Sequence, residues 1–255
     1  PLANEEHTEV ALKAILAKKH VLIEKPMAIK SEEVKTLIEE ASKNNVKIME
    51  GFMYAFHPQF DRIMNTIKSN ILGDISYAHS MFSFPIKPAR FYRIDRSMEN
   101  GGGALWDIGP YAIHTIRQCF KDNPKRVKAI AKLNEHGADI ATSGLIDFGN
   151  SKRATFDISF ECTRRSEFEA FGALGRVKCP TVWQPDDKQA KIIINTESSG
   201  LTEEVVPAAN HFVLEINHFN KVISSDIVPK LSNEDAFWNA KTLESIDQSI
   251  KKDGW

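Results

Sequence analysis

His20-Val21-Leu22-Ile23-Glu24-Lys25-Pro26 decides how this chain is read: an apolar run that suits a buried strand ends abruptly in an acid, a lysine and a proline. A parallel sheet hides both its faces, so polar groups gather where its strands end, and open α/β sheets bind ligands in the crevice beyond those carboxyl ends. Lys25 therefore stands where chemistry is expected. A second segment, Gly101-Gly102-Gly103-Ala104-Leu105-Trp106-Asp107-Ile108-Gly109-Pro110-Tyr111-Ala112-Ile113-His114, supplies an acid, a phenol and an imidazole. Asp107, Tyr111 and His114 are spaced so that one continuous helix would align them on one face. Gly109-Pro110 also favours a helix start, which would leave Asp107 in the preceding turn. Together the two segments suggest an oxidoreductase site.

Working outward from Lys25, Asn4 is predicted to cap a helix whose first turn carries Glu5 and Glu6, with Val10, Ala11, Ala14 and Ile15 recurring on one face. That helix should end near Lys18-Lys19-His20. After the strand at 21–24, Ser31 opens a second amphipathic helix through Val34, Leu37, Ile38 and Ala41, and residues 46–49 read as another strand. Helix, strand, helix, strand is the grammar of a doubly wound parallel sheet. Such a sheet normally carries a glycine-rich turn after its first strand for the cofactor pyrophosphate. Here the glycine run at 101–103 lies too deep in the chain and follows Glu99-Asn100, so it does not serve. The expectation is a partial Rossmann-like domain whose first mononucleotide half, about 60 residues or more, would precede Pro1.

Beyond Phe52 the pattern changes. A helix is predicted from His57 to Ser69, then strands rich in aromatic and β-branched residues. Residues 145–148 and 153–160 read as a hairpin with a short Gly149-Asn150 connection. Residues 168–171, 177–179 and 191–194 read as further strands, and helices near 210–224 and 234–252 close the chain. The predicted fold class is thus α/β plus α+β: a partial doubly wound parallel domain followed by a mostly antiparallel, open-faced sheet domain with flanking helices.

With 255 residues, 42% of them hydrophobic, a substantial core can be buried. Lysine plus arginine (33) nearly cancels aspartate plus glutamate (34), which leaves no electrostatic footprint for nucleic acid or an anionic membrane, so small molecules are the expected partners. No apolar stretch is long enough to span a bilayer, and no signal-peptide pattern appears. Cys119, Cys162 and Cys179 lie far apart, as expected of reduced packing thiols in the cytoplasm. His211 and His218 are spaced too widely to share a metal, no H-E-x-x-H or cysteine cluster occurs, and no metal is expected.

In their order and spacing, Asn4-Glu5-Glu6-His7, Glu24-Lys25-Pro26, Phe56-His57-Pro58 and the glycine run leading into Asp107-Ile108-Gly109-Pro110-Tyr111 resemble the glucose-fructose oxidoreductase, inositol dehydrogenase and MocA family of NAD(P)-dependent oxidoreductases. The resemblance implies hydride transfer between NAD or NADP and the carbinol or carbonyl carbon of a sugar, polyol or cyclic dihydrodiol. It implies that residues 1–52 are the C-terminal half of the dinucleotide-binding domain. Residues 53–232 would form the substrate and oligomerisation domain, making a homodimer or tetramer through its open sheet face, and 233–255 a helix packing back on the Rossmann-like part. By the same resemblance Lys25, Tyr111 and Asp107 match the catalytic positions, and Asn4, His7, Glu24, Lys25 and Pro26 match the wall that holds the nicotinamide and its ribose. Ala3 departs from the pattern, since relatives often carry proline there.

Oxidising an alcohol needs a base for the hydroxyl proton as hydride leaves, and reduction needs the same group as an acid. An ammonium near Tyr111 would favour the phenolate, lowering its pKa, with Asp107 orienting the pair. Substrate contacts are assigned to His114, Arg93 and Trp106, and the loop residues Arg90, Asp95 and Arg96 are weaker candidates of the same kind. Blander readings stand beside these: Lys25 as a surface lysine at a strand end, Tyr111 as a half-buried aromatic, His114 as a satisfied core histidine. A reading from another class is a shortened, non-catalytic chain that keeps the sheet domain for assembly or ligand binding.

Overall fold

Two sheets organise the chain, and the computed structural model describes them over residues 2–185 and 189–252. In the first, β1 (Val21–Glu24) and β2 (Ile48–Gly51) run parallel, with Ile23 opposite Glu50 and Glu24 opposite Gly51. The crossover between them is α2 (Ser31–Lys43), which buries Val34, Leu37 and Ala41, while α1 (His7–Leu16) buries His7, Ala11 and Ile15. Apolar residues at helical spacing thus seal the strands, and a small core forms from α1, α2, β1 and β2. Asn4 does not cap α1 as predicted. It lies in a 3₁₀ turn, Asn4–Glu6, and its side chain donates instead to the Gly101 carbonyl at 2.8 Å.

A 3₁₀ turn, Met53–Phe56, leads into α3 (Pro58–Lys68), where Pro58 occupies the first turn and His57 Nδ1 accepts from the Gln59 amide. The second sheet has eight strands: β3 (Ile75–Ser83), β4 (Arg126–Leu133), β5 (Asp139–Gly149), β6 (Lys152–Ser159), β7 (Arg165–Gly172), β8 (Gly175–Cys179), β9 (Ala190–Thr196) and β10 (Gly200–Val206). Their spatial order is β10-β9-β8-β7-β3-β6-β5-β4, antiparallel except for the parallel pair β3–β6. The predicted hairpin is β5–β6, turned at Gly149, Asn150 and Ser151, all at positive φ.

Before α5 (Gly109–Phe120) comes a single turn, α4 (Ala104–Asp107), so the chain restarts its helix at Gly109-Pro110. Helix α6 (His211–Ser225) packs on the 53–56 turn, and α7 (Asn233–Lys252) packs on α2, α5 and β4. Ala236 and Ala240 of α7 belong to the small core, while Leu243, Ile246 and Ile250 belong to the large core under the eight-stranded sheet. Glu244 accepts from both the amide and the hydroxyl of Ser31, at 3.0 and 2.6 Å. The opposite sheet face is left open, with Ile130 and Leu145 exposed on it. Cys119 and Cys179 are buried, but Cys162 is exposed and so is not a packing residue; all three thiols are free. Positions 253–255 of the predicted C-terminal helix lie outside the described residues.

Candidate active site

Beyond the carboxyl end of β1 lies a cleft of about 980 Å³. One wall comes from the start of the chain and the β1 end: Leu2, Ala3, Asn4, His7, Glu24 and Lys25. The opposite wall comes from the sheet domain, with Phe82 and Phe84 at the end of β3, Asp107, Ile108 and Tyr111 around α4 and α5, and Arg90, Arg93 and Arg96 from the connecting loop. Met53 and Phe212 also line it.

Lys25 crosses the cleft. Its ammonium donates to the Asp107 carbonyl at 2.6 Å and lies 3.3 Å from the Asp107 carboxylate, and it sits 5.0 Å from the centre of the Tyr111 ring. Arg93 pairs with the same carboxylate oxygen. Burial pushes the Asp107 carboxyl up, but the two cations outweigh it and hold it below its ordinary value. Its other oxygen, Oδ2, is buried without a hydrogen-bond partner.

Tyr111 has its ring packed edge-on against Phe52 and Phe82, and among the described residues its hydroxyl bonds only to the Met53 sulfur, at 3.7 Å. Burial pushes the phenol well above its ordinary value, and the carboxylates of Asp107, Glu24 and Glu215 push the same way. This corrects the expectation of a lowered phenol: three facing acids, two of them remote in sequence, join desolvation in favouring the neutral form. The group is thereby an acid at neutral pH.

Of the cofactor-wall candidates, Asn4, His7, Glu24 and Lys25 line the cleft, and Pro26 stands behind, its carbonyl 2.8 Å from His7 Nδ1. Two substrate candidates are corrected. His114 is fully buried away from the cleft, bonded through Nδ1 to the Tyr54 hydroxyl, paired through Nε2 with Asp235 at 2.8 Å, and stacked on Phe52. Trp106 is buried in the large core and does not line the cleft. Tyr111 and His114 share the unbroken α5, and His114 lies one turn deeper along it, where Tyr54, Phe52 and Asp235 enclose the ring. Arg93, Arg90 and Arg96 do line the cleft, whereas Asp95 does not. The sequence reading missed Met53 and Phe82, ordinary apolar positions that only the fold brings here. It also missed Glu50, whose carboxyl accepts from the Met27 amide at 2.7 Å and is pushed by burial up to about 8. An acid near the end of an apolar strand, opposite Ile23 of β1, was its available signal.

Among the described residues no group of histidine, cysteine and acidic side chains is arranged to hold a metal, and no helix is long and apolar enough to cross a membrane.

A parallel unit, a mostly antiparallel open sheet and a lysine–acid–tyrosine cleft between them define a class, the nicotinamide-dependent oxidoreductases, and comparison with known proteins gives the family. Residues 1–52 match the oxidoreductase family model for an NAD-binding Rossmann fold, and residues 60–178 match the GFO/IDH/MocA C-terminal domain. An uncharacterized oxidoreductase, ORF334 of Rhizobium meliloti, is 30% identical over 262 residues, covering 100% of this chain and 78% of that one. Trans-1,2-dihydrobenzene-1,2-diol dehydrogenase of Xenopus laevis is 30% identical over 193 residues, 74% of this chain and 56% of that protein. The crystal structure of KijD10, a 3-ketoreductase from Actinomadura kijaniata in complex with NADP and TDP-benzene, superposes with a TM-score of 0.89 at 25% identity, covering 98% of this chain and 76% of that one. The chain belongs to the GFO/IDH/MocA family of NAD(P)-dependent oxidoreductases.

The residues present fit the nicotinamide end of such a cofactor. The cleft opens where a parallel strand ends, and its inner end combines the apolar Met53, Phe82 and Ile108 with an amine, a phenol and an acid.

Proposed function

We propose that this chain interconverts the carbinol and carbonyl forms of a sugar, polyol or cyclic dihydrodiol, with Lys25 and Tyr111 as the proton-transfer pair and Asp107 in support. Bound nicotinamide supplies the hydride donor or acceptor. In reduction the neutral Tyr111 phenol gives its proton to the carbonyl oxygen, and in oxidation the phenolate takes it back. Lys25, tethered to the Asp107 carbonyl, stands against the Tyr111 ring and stabilises the negative charge that passes between substrate oxygen and phenol. Asp107 holds the ammonium through its carbonyl and its carboxylate. Asn4, His7, Glu24 and Pro26 form the wall for the nicotinamide and its ribose, and Arg93 contacts substrate from the loop side.

The observation that carries this reading is the convergence of an amine from the β1 end with an acid and a phenol from the other domain. A dihydrodiol dehydrogenase and a 3-ketoreductase among the relatives support the substrate class. We assign residues 1–52 to the cofactor, 53–232 to substrate and assembly, and 233–255 to joining the two. A homodimer or tetramer through the open sheet face is the proposed assembly, and the cytoplasm, which suits the three free thiols, is the proposed location. Titration with NADH and NADPH, followed by nicotinamide fluorescence, and turnover with a panel of aldoses, ketosugars and cyclic diols test the reading. Saturable binding and turnover of one class are expected. Failure to bind either cofactor at about millimolar concentration, the weak limit for a working site, overturns it.

A further inference from the structure

We propose that Asp139, on β5 of the eight-stranded sheet, is a positioning residue for the Lys25–Asp107 contact, acting through the single helical turn α4. The inference rests on the reading of Lys25 and Asp107 as site residues. Asp139 is fully buried. Its carboxylate accepts from the Leu105 amide through both oxygens, at 3.2 and 2.9 Å, and from the Thr142 hydroxyl at 2.6 Å. The Leu105 amide is one of those that a helix start leaves without an internal partner, so the carboxylate anchors the amino end of α4.

Two residues beyond Leu105, the same turn ends in Asp107, whose carbonyl oxygen receives the Lys25 ammonium. A single turn held at one end by a buried carboxylate and closed by the Asp107 amide on the Gly103 carbonyl, at 3.2 Å, fixes where that oxygen points. Gly103 is what lets the carboxylate come so close. It adopts φ +98°, and a Cβ there would lie 1.9 Å from Asp139 Oδ1. The glycine run before Asp107 thereby acquires a purpose. Its Gly103 amide also donates to the Arg93 carbonyl at 2.8 Å, which ties down the second cation on Asp107. The turn preceding β5 grips the same loop, since the Met98 amide donates to the Gly137 carbonyl and the Asn134 side chain donates to the Ile94 carbonyl.

The test compares the native chain with Asp139→Ala, Asp139→Asn and Thr142→Val. The direct readout is the rate at which Lys25 is acetylated by an amine reagent, measured by mass spectrometry relative to the exposed Lys13, together with thermal midpoints. Asp139→Ala should raise Lys25 labelling severalfold, Thr142→Val should raise it less, and Asp139→Asn, which keeps an acceptor for Leu105, should restore the native rate. In turnover assays the alanine variant should lose kcat by about tenfold to a hundredfold, the scale of a misplaced catalytic group, with reduced-cofactor affinity unchanged. Should the alanine variant not fold, the valine variant alone decides. Native Lys25 labelling in every folded variant overturns the proposal, as does an asparagine variant no better than alanine. Because labelling needs no turnover, failure of the enzymatic reading is seen separately as absent activity in the native chain.

Discussion

Replacing Tyr111 by phenylalanine should separate chemistry from packing more cleanly than any other change at this site. The deleted hydroxyl has one neighbour of note, the Met53 sulfur at 3.7 Å, and a thioether is a weak acceptor, so no buried donor or acceptor is stranded. The edge-on contacts with Phe52 and Phe82, with ring centres at 5.8 and 5.7 Å, do not involve the hydroxyl. The folding free energy should therefore change by less than about 1 kcal/mol, a few degrees in thermal midpoint for a chain of this size. Turnover should fall by about a hundredfold or more, the usual loss with a general acid, equivalent to about 2.7 kcal/mol of transition-state stabilisation. Because burial and three facing carboxylates keep the phenol neutral, the loss should be similar across neutral pH. Steady-state rates, nicotinamide fluorescence and circular-dichroism melts on one preparation measure all three quantities. Turnover within about threefold of native would remove Tyr111 as the proton donor, since even a modest general acid contributes more. Lost turnover accompanied by a large fall in midpoint would mean instead that the phenol served packing.

Lys25→Met should likewise reduce turnover by about a hundredfold while leaving Asp107 paired with Arg93, and near-native rates would dissolve the proposed pair. Asp235→Ala removes the partner of two buried cationic or polar groups, His114 and Arg117, and should cost about 3–5 kcal/mol and more than about 6 °C, read in thermal melts. A midpoint shift of only a degree or two would show that the buried network carries little. Glu50→Gln tests a pH dependence. The Glu50 carboxyl rises from 4.5 to about 8 on folding, so between those values the unfolded chain releases a proton that the folded chain keeps. Its stabilising contribution is complete below the unfolded value and is lost as pH rises through about 8, at roughly 1.4 kcal/mol per pH unit. Denaturant melts at pH 6 and 8 should show a shallower decline in the glutamine variant, with the raised carboxyls of Asp139 and Glu215 supplying the remainder; identical declines would refute the assignment.

What the sequence disclosed, and what it hid, follows from how local each cause is. The β1 strand and α2 were legible because apolar spacing and punctuation lie within a dozen neighbouring residues, and the β5–β6 hairpin because Gly149-Asn150 supplies the positive φ its turn needs. The parallel pairing of β3 with β6 was not, since nothing in Ile75–Ser83 states which distant strand it will meet. Lys25, Asp107 and Tyr111 could be singled out from residue type and position, yet His114, only three residues beyond Tyr111, faces the core. A step of three along the unbroken α5 carries the side chain one turn deeper, where Phe52, Tyr54 and Asp235 enclose it, and residue spacing alone does not state that depth. The direction of the Tyr111 shift was hidden for a similar reason: it depends on Glu24 and Glu215, which only the tertiary fold brings to face it. Asp139, more than thirty residues past the turn it anchors, left no local sign at all.

The proposed catalytic arrangement straddles a seam, and this makes α7 more than a closing helix. Lys25 hangs from the parallel unit while Asp107 and Tyr111 belong to the sheet domain, so any slippage between the two would pull the ammonium from its acceptors. Helix α7 resists that slippage along its whole length. Its Asp235 hooks His114 and Arg117 on the helix that carries Tyr111, and its Ala236 and Ala240 fill the core beneath β1. Its Glu244 holds the first residue of α2, and its Leu243, Ile246 and Ile250 are buried under the large sheet. Because packed interiors deform little, one rigid rod seated in both cores transmits the position of each to the other. The buried ion pairs far from the cleft are thus part of what holds the Lys25 amine beside the Tyr111 ring across the seam.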